Sequence, residues 1–69
     1  MEGKVYKKIE LTGTSRTSVE EAVQTAISEA GKSVRNMSWF EVVETRGKIQ
    51  DGKIAEWQVT LNIGFRIES

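Results

Sequence analysis

Trp39 is the residue whose type and position most invite chemistry. It stands beside Phe40 in NMSWFEVVETRG, residues 36 to 47, where a helical spacing ends and an alternating one begins. Neighbours along a strand point to opposite faces of the sheet, so a Phe40 in the core sends Trp39 outward. An outward indole either stacks on a planar ligand or buries itself against a second protein surface. Other chemistries are excluded by residue type. The absence of cysteine removes disulfides, thiolate metal sites and thiol nucleophiles. The absence of histidine removes the commonest metal ligand and general base. Glu41 and Glu44 do not form an acid–base pair under strict alternation, because their odd spacing sends them to opposite faces. No catalytic residue and no metal site are therefore expected. TGTS at 12–15 has one glycine and no following Gly-Lys-Ser/Thr, so it reads as a strand-to-helix turn and not as a phosphate cradle. Arg46 and Arg66 read as solvated charges or as phosphate contacts.

Around Trp39 the elements follow a simple order. Residues 4–12, KVYKKIELT, alternate with Val5, Ile9 and Leu11 on one side and Tyr6, Lys8 and Glu10 on the other, a half-buried strand. Ser18 stands three residues before Glu21, the capping-box spacing. Val19, Ala22, Val23, Ala26, Ile27, Ala30, Val34 and Met37 then keep the i, i+3, i+4 rhythm, which predicts one amphipathic helix of about five turns. Strands near 39–50 and 53–67 follow, joined by Asp51-Gly52, a strong type I′ hairpin signal. The prediction is an α+β fold, β-α-β-β, with a three-stranded antiparallel sheet packed on one helix. A two-residue turn makes paired residue numbers on the hairpin sum to 103, which sets Phe40 opposite Ile63, Val42 opposite Leu61 and Trp39 opposite Gly64. Gln58 then pairs with Thr45, and Trp39 shares its face with Val43, Thr45, Gln58, Thr60 and Asn62. Trp57 alternates with core residues and reads as packing.

The 69 residues make one domain, 1–69, without repeats or linkers. At this length only about 60% of the unfolded surface is buried on folding, so a chain lacking disulfides and metal is expected to gain burial by self-association. Ten basic and ten acidic residues cancel, which argues against a nucleic-acid partner. MEGKVYKKIE is charged and lacks an apolar leader, and no stretch approaches the roughly 20 apolar residues of a membrane span. A cytoplasmic location without a membrane partner is expected, and the NMS sequon at 36–38 is a chance match.

Three segments, KVYKKIELTGTS, WFEVVETRGKI and WQVTLNIGFRIE, together with the element order and the length, resemble the dodecins over nearly the whole chain. Dodecins are small flavin-binding proteins that assemble as hollow homododecamers. The resemblance implies a flavin, FMN or else riboflavin or FAD, whose isoalloxazine ring stacks on Trp39 and whose polar edge meets Gln58. By the same resemblance Arg46 lies close to the ligand, Ser38 stands where relatives often carry Asp at the ring edge, and Arg66 is a candidate for the phosphate or a subunit contact. Some bacterial relatives also bind coenzyme A, at positions corresponding to Lys4, Tyr6 and Lys32. Storage or buffering of flavin is the activity implied. The alternative is a structural oligomeric carrier module in which Trp39 is an interface anchor.

Overall fold

The structure is a computed structural model that describes residues 3–68. Its elements are β1 (Tyr6–Ser15), α1 (Val19–Ala30), β2 (Met37–Gln50) and β3 (Lys53–Arg66), in the expected β-α-β-β order. The sheet is antiparallel throughout, with β3 in the centre: β1-β3-β2.

The helix starts where the sequence places it. Ser18 is in extended conformation, and its hydroxyl accepts the Glu21 amide at 3.0 Å, satisfying one of the orphan donors of the first turn. It ends earlier than expected, after 12 residues. Val34 and Met37 keep the apolar spacing, but GKSVRN between 31 and 36 contains residues with weak helical preference. There the amides of Lys32 and Ser33 bond the carbonyls of Glu29 and Ala30 at 3.2 and 3.1 Å, a tightened turn. Asn36 then takes φ 63°, in the left-handed region that asparagine tolerates, and aims the chain into β2.

The hairpin turn has φ 54° at Asp51 and 74° at Gly52, as a type I′ turn requires. Around it the register departs from the simple one in an instructive way. Gln50 faces Lys53 and Ile49 faces Ile54, but Lys48 then faces Glu56, leaving Ala55 as an extra residue on β3. From Lys48 to Glu44 every β2 residue is shifted by one, so Gln58 faces Arg46, not Thr45. Val43 is the extra residue on β2, and it restores the original register: Val42 faces Leu61, Phe40 faces Ile63 and Trp39 faces Gly64. The two irregularities cancel. Between them the faces are exchanged, so Thr45 opposes the core residue Val59 while Glu44 and Arg46 join Trp39 on the outer face. Glu41 and Glu44 consequently share a face, against the strict-alternation expectation.

Helix α1 lies across β1 and β3 and leaves β2 uncovered. The core comprises Ala22, Val23, Ala26 and Ala30 from the helix and Val59, Leu61 and Ile63 from β3, flanked by Ile9, Leu11, Val19 and Ile27. Phe40, Val42, Val43 and Ile49 of β2 stay exposed, Ile49 by 75%. Pairing of β1 stops at Ser15 opposite Trp57, so the hairpin beyond it projects as a two-stranded arm. The radius of gyration is 14.4 Å, against about 11 Å for a compact domain of this length.

Gly13 fixes how closely the helix sits on the sheet. A Cβ there would overlap the Ala22 carbonyl and lie 2.9 Å from the Ala26 Cβ. Gly13→Ala is therefore expected to destabilise the fold by about 1–3 kcal/mol through overpacking, read as a lowered urea midpoint. An unchanged midpoint would show that the helix can lift off β1 freely.

Candidate functional site

The outer face of the sheet has an aromatic end and a polar end. At the aromatic end the indole of Trp39 lies across Gly64 of the neighbouring strand, so that a methyl group at Gly64 would overlap its six-membered ring. Covering a strand glycine with an aromatic restores packing that the missing side chain loses. Tyr6 of β1, on the same face, reaches the indole across Gly64 with ring centroids 5.0 Å apart and planes inclined by 56°. Trp39 is thus held from below by β3 and at one side by Tyr6, and it remains 40% exposed. What remains is a rigid, half-covered aromatic plane.

At the polar end four side chains join in one chain of hydrogen bonds. Arg46 Nη1 donates to Glu44 Oε2 at 2.8 Å, Arg46 Nε donates to Gln58 Oε1 at 2.8 Å, and Gln58 Nε2 donates to Glu56 Oε2 at 2.9 Å. Between the two ends, Lys8 Nζ meets Glu41 Oε2 at 2.7 Å and Asn62 donates to the same oxygen at 3.4 Å. The Lys8 hydrogen bond and charge hold the Glu41 carboxyl below its usual range. Thr12 and Thr60 hydroxyls bond each other at 2.8 Å.

The remaining sequence candidates are dispersed. Ser38 is an extra residue in the register between Met37 and Trp39, and its hydroxyl donates to the Asn36 carbonyl at 3.2 Å. Together with Trp39, Phe40, Met37, Ile27 and Ile63 it lines a depression of ≈260 Å³. Arg66 is exposed, 3.8 Å from Glu68, and lines an open cleft of ≈490 Å³ with Lys4, Val5 and Ile67. Neither Tyr6 nor Lys32 lines that cleft. Lys32 is instead paired with Glu29 at 3.1 Å. Among the described residues no group of three carboxylates is placed to hold a metal ion, and no helix is long and apolar enough to cross a membrane.

Trp39 and Gln58 of one chain do not meet. Their β3 positions, 64 and 58, are six residues apart, which is about 20 Å along a strand. The partners of Gln58 were missed by alternation alone, but a signal exists. Charged positions 41, 44, 46 and 48 change phase between 41 and 44, at the Val42-Val43 doublet, and that is where the extra residue stands.

With this geometry the comparisons with known proteins agree. The family model of the dodecins matches residues 5–68. The chain belongs to the dodecin family. A dodecin of Thermus thermophilus is 52% identical over 66 residues, 96% of each chain. The structure of dodecin from Streptomyces coelicolor superposes with a TM-score of 0.94 at 43% identity, covering 100% of this chain and 99% of that one. A crystal structure of a Thermus thermophilus protein gives 0.93 at 51% identity, covering 97% and 98%. The β-α-β-β fold with its three-stranded antiparallel sheet is the fold of this family.

The packing of Trp39 on Gly64 generates a direct test. Gly64→Ala should displace the indole and change its emission and near-ultraviolet dichroism, while Gly64→Ala in a Trp39→Ala background should be nearly silent in stability. Such non-additivity marks residues in contact. Additive destabilisation by the two changes would show that Trp39 does not rest on Gly64.

Proposed function

We propose that this dodecin holds a flavin by stacking its isoalloxazine ring on Trp39, with Gln58 at the ring's polar edge, in sites formed where copies of the chain meet. The observation that carries the reading is the half-covered indole. One face rests on Gly64 and the side toward Tyr6 is taken, so an exposed, pre-positioned plane is left that fits a flat heteroaromatic ring. The hydrogen-bonding side chains such a ring also needs share the same sheet face. Arg66, in the cleft with Lys4, is the candidate for the phosphate of FMN, and Arg46, paired with Glu44, stands beside Gln58 near the ring. FAD and riboflavin share the ring and fit the same plane.

The 20 Å separation of Trp39 and Gln58 argues for a site between subunits, because one ring does not span it. The bare apolar side of β2 argues for the same arrangement from stability. Phe40, Val42, Val43 and Ile49 would be covered by a second copy, and the dodecin assembly is a homododecamer. The bound group's own chemistry is redox and light absorption. What the chain supplies is binding, not turnover: beside Trp39 the ionisable groups are the Tyr6 phenol and the paired Lys8 and Glu41. Histidine and cysteine are absent, so no group there is suited to move protons at neutral pH. Stacking also covers the ring face that a substrate would approach. We read the protein as a store or buffer of flavin within the cell. Coenzyme A has narrower support, since Lys4, Tyr6 and Lys32 do not line one cleft and Lys32 is neutralised by Glu29.

Trp39→Ala is expected to weaken flavin binding by about one to two orders of magnitude, the equivalent of a stacking contribution of about 1–3 kcal/mol, with assembly retained in sedimentation. Trp39→Ala and Gln58→Ala chains unfolded and refolded together should partly regain tight binding, because some mixed sites contain both wild-type residues. Monomeric Trp39→Ala with unchanged flavin affinity would instead make Trp39 an interface anchor. Failure of the mixed chains to recover would place both contacts in one subunit.

A further inference from the structure

We propose that Arg46 and Glu56 are positioning residues that fix the handedness of the Gln58 amide, so that Gln58 offers its ligand one donor and one acceptor in a set order. The proposal rests on the flavin reading and extends it to a part of the ligand. A free glutamine amide flips, exchanging its oxygen and nitrogen, and either orientation serves an undemanding contact. Here the two neighbours are chemically opposite. A guanidinium has donors only, and an ionised carboxylate has acceptors only. With Arg46 Nε at 2.8 Å from Oε1 and Glu56 Oε2 at 2.9 Å from Nε2, the flipped amide would point N–H at a cation and oxygen at an anion. Both contacts would then be repulsive. The orientation therefore follows from the charges of the neighbours.

Arg46 is itself held by Glu44 at 2.8 Å, so the guanidinium is not free to swing away. Glu44, Arg46, Gln58 and Glu56 are brought to one face only because Ala55 and Val43 are extra residues on β3 and β2. An amide oxygen has two lone pairs and an amide nitrogen two hydrogens. Arg46 occupies one lone pair and Glu56 one hydrogen, and one of each remains. That pair complements a ring edge with an N–H beside a carbonyl, which is the imide edge of the isoalloxazine pyrimidine ring. It does not suit the same edge once its nitrogen is methylated. A site built to hydrogen-bond a donor discriminates against an analogue that lacks it far more than apolar contact does. Glu56 would thus govern selectivity without touching the ligand.

The test needs no identified physiological ligand. Lumiflavin and 3-methyllumiflavin are titrated against the assembled wild type and Glu56→Gln, following loss of flavin fluorescence. In Glu56→Gln, the new amide can donate or accept, so the lock on Gln58 is released. Wild type should prefer lumiflavin by at least about tenfold and Glu56→Gln by less than about threefold, with quenching at saturation unchanged because Trp39 is untouched. A second readout requires neither ligand nor variant. The two Nε2 protons of Gln58 should be widely separated in the NMR spectrum of the ligand-free protein, one shifted by its bond to Glu56. Full preference retained in Glu56→Gln, an absent preference in wild type, or a Gln58 amide with solvent-like shifts would each overturn the assignment while leaving stacking on Trp39 intact. Wild type that binds neither compound would overturn the flavin reading itself, and the assignment with it.

Discussion

One extra residue in a strand decides which side chains share a face, and the candidate site of this protein depends on two such residues. Strict alternation through β2 from Trp39 would put Arg46 on the core side, opposite Trp57. Keeping Arg46 on the outer face, bonded to Gln58, takes a local break in the ladder. Ala55 and Val43 provide that break. They turn the middle of β2 over, bring Thr45 to the core side and carry Glu44, Arg46 and Lys48 outward. Because the second irregularity undoes the first, Phe40 and Val42 still face inward and Trp39 still meets Gly64. The polar end of the site is thereby re-aimed without moving the aromatic end.

The same hairpin leaves the single chain with apolar surface that it does not cover itself. The core has seven buried residues and three of them are alanine, so the apolar area removed from water is small. The helix is short, covers β1 and β3, and leaves an inward-facing apolar strip on β2 that nothing in the chain covers. Beyond Ser15 the arm has two strands, with Ile49 and Ile54 paired across it and exposed. An isolated two-stranded ribbon is marginal in water, and apolar surface left exposed on an edge strand invites association. The site's geometry and the chain's stability thus ask for the same thing, a second copy lying along β2.

Much of this was legible in the residues. Alternation, the Ser18 cap and the Asp51-Gly52 turn gave the order of elements, and hairpin arithmetic gave the Trp39–Gly64 pair, because each is a local rule acting over a few residues. Two features were hidden for physical reasons. The helix stops at Ala30 although the apolar spacing runs on to Met37, since GKSVRN has weak helical preference and the chain closes in a tightened turn at Lys32 and Ser33. The face exchange left the two ends of the register unchanged, so checks on Phe40, Val42 and Trp39 could not expose it. Only the charges betrayed it, in the step of three between Glu41 and Glu44. Gln58 could be singled out, by resemblance, but its partners could not.

The two ends of the site differ in how they are held. Trp39 is fixed by close packing: the indole rests on backbone at Gly64 and on Tyr6, and neither contact depends on solvent or on assembly. The Glu44–Arg46–Gln58–Glu56 chain is held by charge, and its ion pair lies exposed in the single subunit. Exposed ion pairs are worth about 0–1 kcal/mol because water screens them. Two unit charges 4 Å apart attract by about 1 kcal/mol in bulk water and about 4 kcal/mol where the effective dielectric falls to that near a protein surface. Covering β2 with another subunit or a flat ligand lowers that dielectric and deepens every bond in the chain together. The aromatic half is therefore preorganised in the monomer. The polar half, and with it the orientation of Gln58, is set by charge in the single chain and tightens as water is excluded.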